Sequence, residues 1–192
     1  MTRAKDMADG EYNVFAADEI SGDKVSGGTI GAGTLGSSVV FPAGHVIQTK
    51  SSIYSSSQIA CGTTATSITQ GELSNFTPIL GTSGKLLVWW WISGIYTTTS
   101  SIGVHIGLKY STDDFSSETT LGANWPMSAY TGYGQGTRKG SGHSASTGLI
   151  STPTASEFDV RFHVQAAPSG SLNINQDGTM DTMGIIIQEI SP

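Results

Sequence analysis

Four histidines, His45, His105, His143 and His163, are the side chains best suited to hold a metal or move a proton near neutral pH. Their separations match no ligand spacing, and Cys61 is a lone cysteine, so neither a histidine cluster nor a cysteine cage is expected. His105 and His163 fall at outward positions of alternating apolar segments, where each reads as a solvated or interface side chain. Asp113, Asp114 and Glu118 could be imagined as a glycosidase carboxylate pair or a loose calcium loop. They sit among Ser and Thr after an apolar segment, and aspartate in such a turn needs no catalytic role. Neither a Gly-x-Ser-x-Gly elbow, nor a phosphate loop, nor a His-Glu-x-x-His helix occurs. The residues therefore point to no catalytic centre, no metal and no cofactor, and the expectation is a protein that is not an enzyme.

The aromatics are more informative. Trp89, Trp90 and Trp91 are consecutive in an apolar run. In a strand, Trp89 and Trp91 would face one side and Trp90 the other, so indole is buried against something on at least one face. That something is either the core or a second subunit, which makes the three tryptophans candidate subunit-interface residues. Trp125, Tyr130 and Tyr133 lie in a Gly-, Ser-, Thr- and Tyr-rich stretch, residues 122–153, read as one long loop. Their rings, apolar on the face and polar at the tip, are candidate contacts to a host glycan or a neighbouring subunit.

The elements that would position these side chains are strands. Ile102, Val104, Ile106, Leu108 and Tyr110 alternate with Gly103, His105, Gly107 and Lys109, and Phe158 to Gln165 repeats the pattern. His45 to Ile53, Phe76 to Leu80, Lys85 to Tyr96, Leu172 with Ile174, and Gly184 to Ile190 complete the expected set. Asn175 to Gly178 reads as a hairpin turn. No helical apolar stripe appears beyond the N-terminus, so the class is all-β, and seven or eight such strands suit a jelly-roll-like β-sandwich. Only 12% of the residues are charged, against roughly 25% in an average domain, with Ser, Thr, Gly and Asn in their place. A net charge of −6 argues against nucleic acid as partner, and the pair Arg138-Lys139 reads as a loop tip. No run approaches the ~20 apolar residues of a membrane span, and Met1 to Asp6 opens without the apolar core of a signal peptide. Folding in a reducing cytoplasm is the expectation.

The 192 residues divide into an extended Gly-rich arm, 1–40, and a head, 41–192, with Phe41-Pro42-Ala43-Gly44 as the turn between them. From Gly22 to Gly36 the apolar residues Val25, Ile30 and Leu35 recur every five positions, and Gly-Thr-Ile-Gly returns as Gly-Thr-Leu-Gly. So much glycine defeats a helix, and one strand could not bury such isolated side chains. Either this is a flexible linker, or several copies wind about one axis and bury the three aliphatics there.

Glu19 to Ile30, which contains Ser-Gly-Asp-Lys-Val-Ser-Gly-Gly-Thr-Ile, resembles the shaft repeats of bacteriophage tail-fibre proteins. The following Phe-Pro-Ala-Gly-His-Val-Ile-Gln is similar to the phrase that opens the C-terminal head of marine and cyanobacterial phage virion proteins, and Thr-Met-Gly-Ile-Ile-Ile-Gln-Glu-Ile to its last strand. The resemblance covers roughly residues 19–48 and 180–190. It implies a virion protein assembled in the host cytoplasm: a homotrimer with a threefold shaft at Val25, Ile30 and Leu35 and a jelly-roll-like knob. The arm would dock on other virion proteins, and the head would project for host attachment. Fibres of that family carry longer arms, which leaves a tail fibre, a capsid fibre and a decoration protein that cements the shell all open.

Overall fold

The computed structural model describes residues 42–97, 102–122, 128–132, 143–167, 172–174 and 182–192, all within a compact unit running Phe41–Pro192. The candidate shaft residues Val25, Ile30 and Leu35 lie outside the described residues, as does the expected turn at 175–178. Among the described residues there are twelve strands: β1 Val46–Tyr54, β2 Ile59–Cys61, β3 Thr66–Phe76, β4 Lys85–Ile92, β5 Tyr96–Thr97, β6 Ile102–Ser111, β7 Thr119–Thr120, β8 Ser128–Gly132, β9 His143–Ser151, β10 Phe158–Ala167, β11 Leu172–Ile174 and β12 Met183–Ile190. The only helical turn described is a 3₁₀ turn at Gly81–Ser83. The all-β class follows from composition: β-branched and aromatic residues at period two, with glycine at the breaks.

Two sheets make the sandwich. One has the order β1-β12-β4-β9, the other β3-β10-β6, with β7 and β8 each pairing along β6. Every pairing within them is antiparallel. Successive main strands alternate between the sheets except for β6 and β8, which are neighbours in one sheet, and that is the strand order of an eight-stranded jelly roll. The antiparallel directions fix the ends. β1, β4, β8 and β10 all finish at one end of the sandwich, and there β2, β11 and β5 from three of the connections form a small third sheet. The chain enters β1 at the opposite end, where Gly44 N donates to Ser191 O at 2.9 Å.

The core lies between the sheets. Leu86, Val88, Trp90 and Ile92 of β4, with Ile185 and Ile187 of β12, face Val104, Ile106 and Leu108 of β6 and Val160, Phe162 and Val164 of β10. Trp90, only 1% exposed, meets the Phe162 ring edge-on with centroids 6.1 Å apart. Each such fully buried side chain stabilises by roughly 1.5–3 kcal/mol.

Four expectations need correction. Phe76 does not begin a strand but ends β3, and Thr77 to Leu80 form a connection. β3 was hidden because its inward residues Ile68, Leu73 and Phe76 are five and three apart, not two. The cause is two bulges: β10 moves from Val160 to Phe162 while β3 moves from Leu73 to Ile68, and from Phe158 to Val160 while β3 moves from Phe76 to Leu73. Gly71, at φ +75°, turns the chain inside the first. The run from Lys85 to Tyr96 breaks after Ile92: Ser93 N still bonds Thr182 O at 2.9 Å, in register with the β4–β12 pairing, and Gly94 at φ +66° then turns the chain. The segment 122–153 is not one loop, since β8 and β9 lie within it. Finally, His163, expected as a solvated or interface side chain, is buried within the chain itself.

Candidate functional site

The outward face of the four-stranded sheet is nearly free of charge. Register places its side chains in rows across β9, β4, β12 and β1. Leu149 stands beside Leu87, Gln188 and Thr49, while Ser146 stands beside Trp89, Ile186 and Ser51. In the third row Trp91 sits over Gly184, with Ile53 next to it. Trp89 is 47% exposed, and Ile53 and Leu149 are each 64% exposed. Trp91 is held flat by its Nε1–H, which donates to Thr182 Oγ1 at 3.0 Å. A methyl on Gly184 would overlap the indole and lie 2.8 Å from Ser52 O, so glycine is what lets the ring lie down. Of the three tryptophans singled out as interface candidates, Trp89 and Trp91 face outward. Trp90 does not: it belongs to the core, because its parity on β4 points into the sandwich.

The outward face of the other sheet is polar and internally paired. Arg161 on β10 donates to Glu72 from the β3 bulge, reaches Asp114 at 3.5 Å, and lies 3.9 Å above the Phe115 ring. One register step along, Ser67, Glu118 and His163 meet. Ser67 Oγ donates to Glu118 and stands 3.0 Å from His163 Nδ1, with Glu118 Oε1 3.5 Å from the same nitrogen. Burial lowers the His163 pKa below its ordinary 6.5; Glu118 partly opposes this and Lys109 adds to it. The trio has the residue types of a nucleophile relay without its layout. A relay needs hydroxyl and carboxylate on opposite imidazole nitrogens, whereas here both meet Nδ1.

The carboxylates considered as a pair are separated by their partners. Asp113 accepts from Ser111 Oγ at 2.6 Å and from Ser117 N and Oγ at 3.0 and 2.6 Å. The bonds from Ser111 and Ser117 bring its pKa down to about 2. Asp114 turns to Arg161 and Glu118 to His163, through a loop whose Asp114 and Phe115 adopt φ of 53° and 59°. Among the described residues no group of three or more His, Cys, Asp or Glu could hold a metal ion. His45 precedes β1, His105 lies on β6 opposite Gln165, and His143 opens β9. Tyr130 lies on β8 opposite Val104, and Trp125 and Tyr133 lie outside the described residues.

Two features went unread in the sequence. An open cleft of about 510 Å³ separates β1 from the β3 bulge, lined by Ser52, Tyr54, Thr69, Gln70, Glu72 and Ser74 among others. Its hydroxyls, amide and one aromatic ring suit a hydroxylated ligand in type. Glu189 is fully buried at an inward position of β12, accepting from Gln48 Nε2 at 2.7 Å, Ile79 N at 2.9 Å and Leu80 N at 2.8 Å. The available signal was a carboxylate at the same parity as Ile185 and Ile187.

Fold and faces together define an all-β jelly-roll sandwich with one uncharged, partly apolar sheet face. No protein-family model matches the chain, and no curated protein does. Among solved structures it is similar to a chain in the structure of infectious bursal disease virus, Gt strain, with a TM-score of 0.42 and 15% identity. That likeness covers 85% of this chain and 43% of the other, so the chain spans less than half of its neighbour's length. No described helix is long and apolar enough to cross a membrane.

Proposed function

We propose that the chain is a structural subunit of a virus particle: a short homotrimeric fibre of tail or capsid, whose arm at residues 1–40 docks on the particle. In this reading three copies wind together at Val25, Ile30 and Leu35, and the heads project for host attachment. The head is an assembly and recognition module with no reaction to run.

The observation that carries the reading is the polarity of the sandwich. The chain enters at the end marked by Gly44 and Ser191, and the opposite end collects four connections and the β2-β11-β5 sheet. One end is thus free to be tethered and the other to meet a host surface. β8 finishes at that far end, at Gly132. The five-residue spacing and the phage-fibre resemblance of residues 19–48 support the threefold arm.

Light scattering on the full chain tests this directly. The expected mass is a whole multiple of three times the 20.0 kDa chain, falling threefold when Ile30→Asp places charge on the axis. A single-chain mass at micromolar concentration, or a mass indifferent to Ile30→Asp, would sink the fibre reading.

A further inference from the structure

We propose that the outward face of the β1-β12-β4-β9 sheet is a self-association surface on which a second copy of this chain packs, head to head. This extends the assembly reading from the arm to the head, and it can fail while the threefold arm stands.

Three observations select a second copy as the occupant. The first is charge. Each chain carries 15 acidic against 9 basic residues, so two copies meeting at random repel. No carboxylate on the strands of this face points outward, since Glu189 is turned into the core, and Lys85 stands at the edge with its Nζ bonded to Ser151 Oγ at 3.1 Å. Two like-charged heads can touch here without setting like charges together.

The second is area. Four strands about 4.8 Å apart, eight residues long at about 3.3 Å each, present about 500 Å². A pair would bury about 1,000 Å², the lower bound for a specific protein interface.

The third is the arrangement of side chains. The exposed indole of Trp89 and its cross-strand partner Ile186 occupy the middle of the face, with Leu87 and Trp91 on either side along β4. Interfaces that bind well have a central aromatic anchor; here small polar residues, Thr49, Ser51 and Ser146, surround it together with exposed Ile53 and Leu149 on the two edge strands, which add apolar area to the face. A flat, neutral patch of this kind is complementary to itself, which is the requirement of a two-fold contact. Near the axis of such a contact Trp89 meets the Trp89 of the second copy.

Two measurements on the full chain decide the matter. Trp89→Cys places a thiol at the proposed axis, and the native Cys61 is buried, so it does not compete. Mild oxidation should give a two-chain band on a non-reducing gel. Gln165→Cys, on the outward face of the other sheet, should stay single-chain under the same conditions. Trp89→Glu should halve the mass seen by light scattering, whether or not the arm also trimerises, and leave the circular dichroism unchanged. Ile30→Asp instead divides the mass by three, so loss of the arm contact and loss of the head contact read differently. A Trp89→Cys thiol that reacts freely with no interchain bond, or a mass unchanged by Trp89→Glu, overturns the proposal and leaves the face to some other partner.

Discussion

Replacing Glu189 with alanine removes the acceptor for three donors at once. Ile79 N and Leu80 N lie in the connection from β3 to β4 and take no other acceptor among the described residues, while Gln48 is half-buried at the sheet edge and can turn to water. Each backbone N–H left dry costs about 1–3 kcal/mol. Removing the buried charge returns part of that, since a carboxylate is itself costly to desolvate. The balance for Glu189→Ala is a loss of about 3 kcal/mol, or roughly 6–12 °C in Tm for a domain of this size. Glu189→Gln keeps one acceptor oxygen but turns an NH₂ toward Ile79 N or Leu80 N, so one amide loses its partner and the cost is about 1–2 kcal/mol. Urea unfolding followed by tryptophan fluorescence reads both, because Trp90 reports on the core between the sheets. Alanine within 0.5 kcal/mol of wild type, or glutamine costing as much as alanine, would refute the assignment of Glu189 as the anchor of this connection.

Gly184→Ala should destabilise by about 2 kcal/mol, because the new methyl meets the Trp91 ring and Ser52 O. In a Trp91→Ala background the added cost should shrink by about half, leaving the contact with the backbone oxygen; an undiminished cost excludes the indole as the cause. The pKa of His163 is held down by burial, so the unfolded chain takes up this proton first as pH falls. Stability is therefore full above about pH 6.5 and declines below it towards the folded pKa, and urea midpoints across that range should be flatter in His163→Gln. The Cys61 thiol is pushed up to about 12 by burial, which lowers its thiolate fraction roughly a thousandfold against an exposed cysteine. A thiol reagent at mildly alkaline pH should leave it untouched in the native chain and count one thiol per chain in denaturant.

The class of fold was determined by sequence alone, because period-two alternation is a local property that neighbours do not alter. Ile102 to Tyr110 and Phe158 to Gln165 therefore stand as β6 and β10 where the pattern put them. Its failures have one physical origin. Leu73 and Ile68 lose their alternation through a bulge that arises where β3 pairs with β10. The same reason governs the candidate site. Three consecutive tryptophans declared that β4 buries indole, but only the stacking of two sheets decided that Trp90 is core and Trp89 is surface. His163 sits at an outward position by parity, yet Ser67 and Glu118, distant in the chain, close over it. Composition likewise announced a surface poor in charge. Where the charge is missing, on the outward face of β1-β12-β4-β9, was settled by strand order, which depends on contacts between residues more than a hundred positions apart.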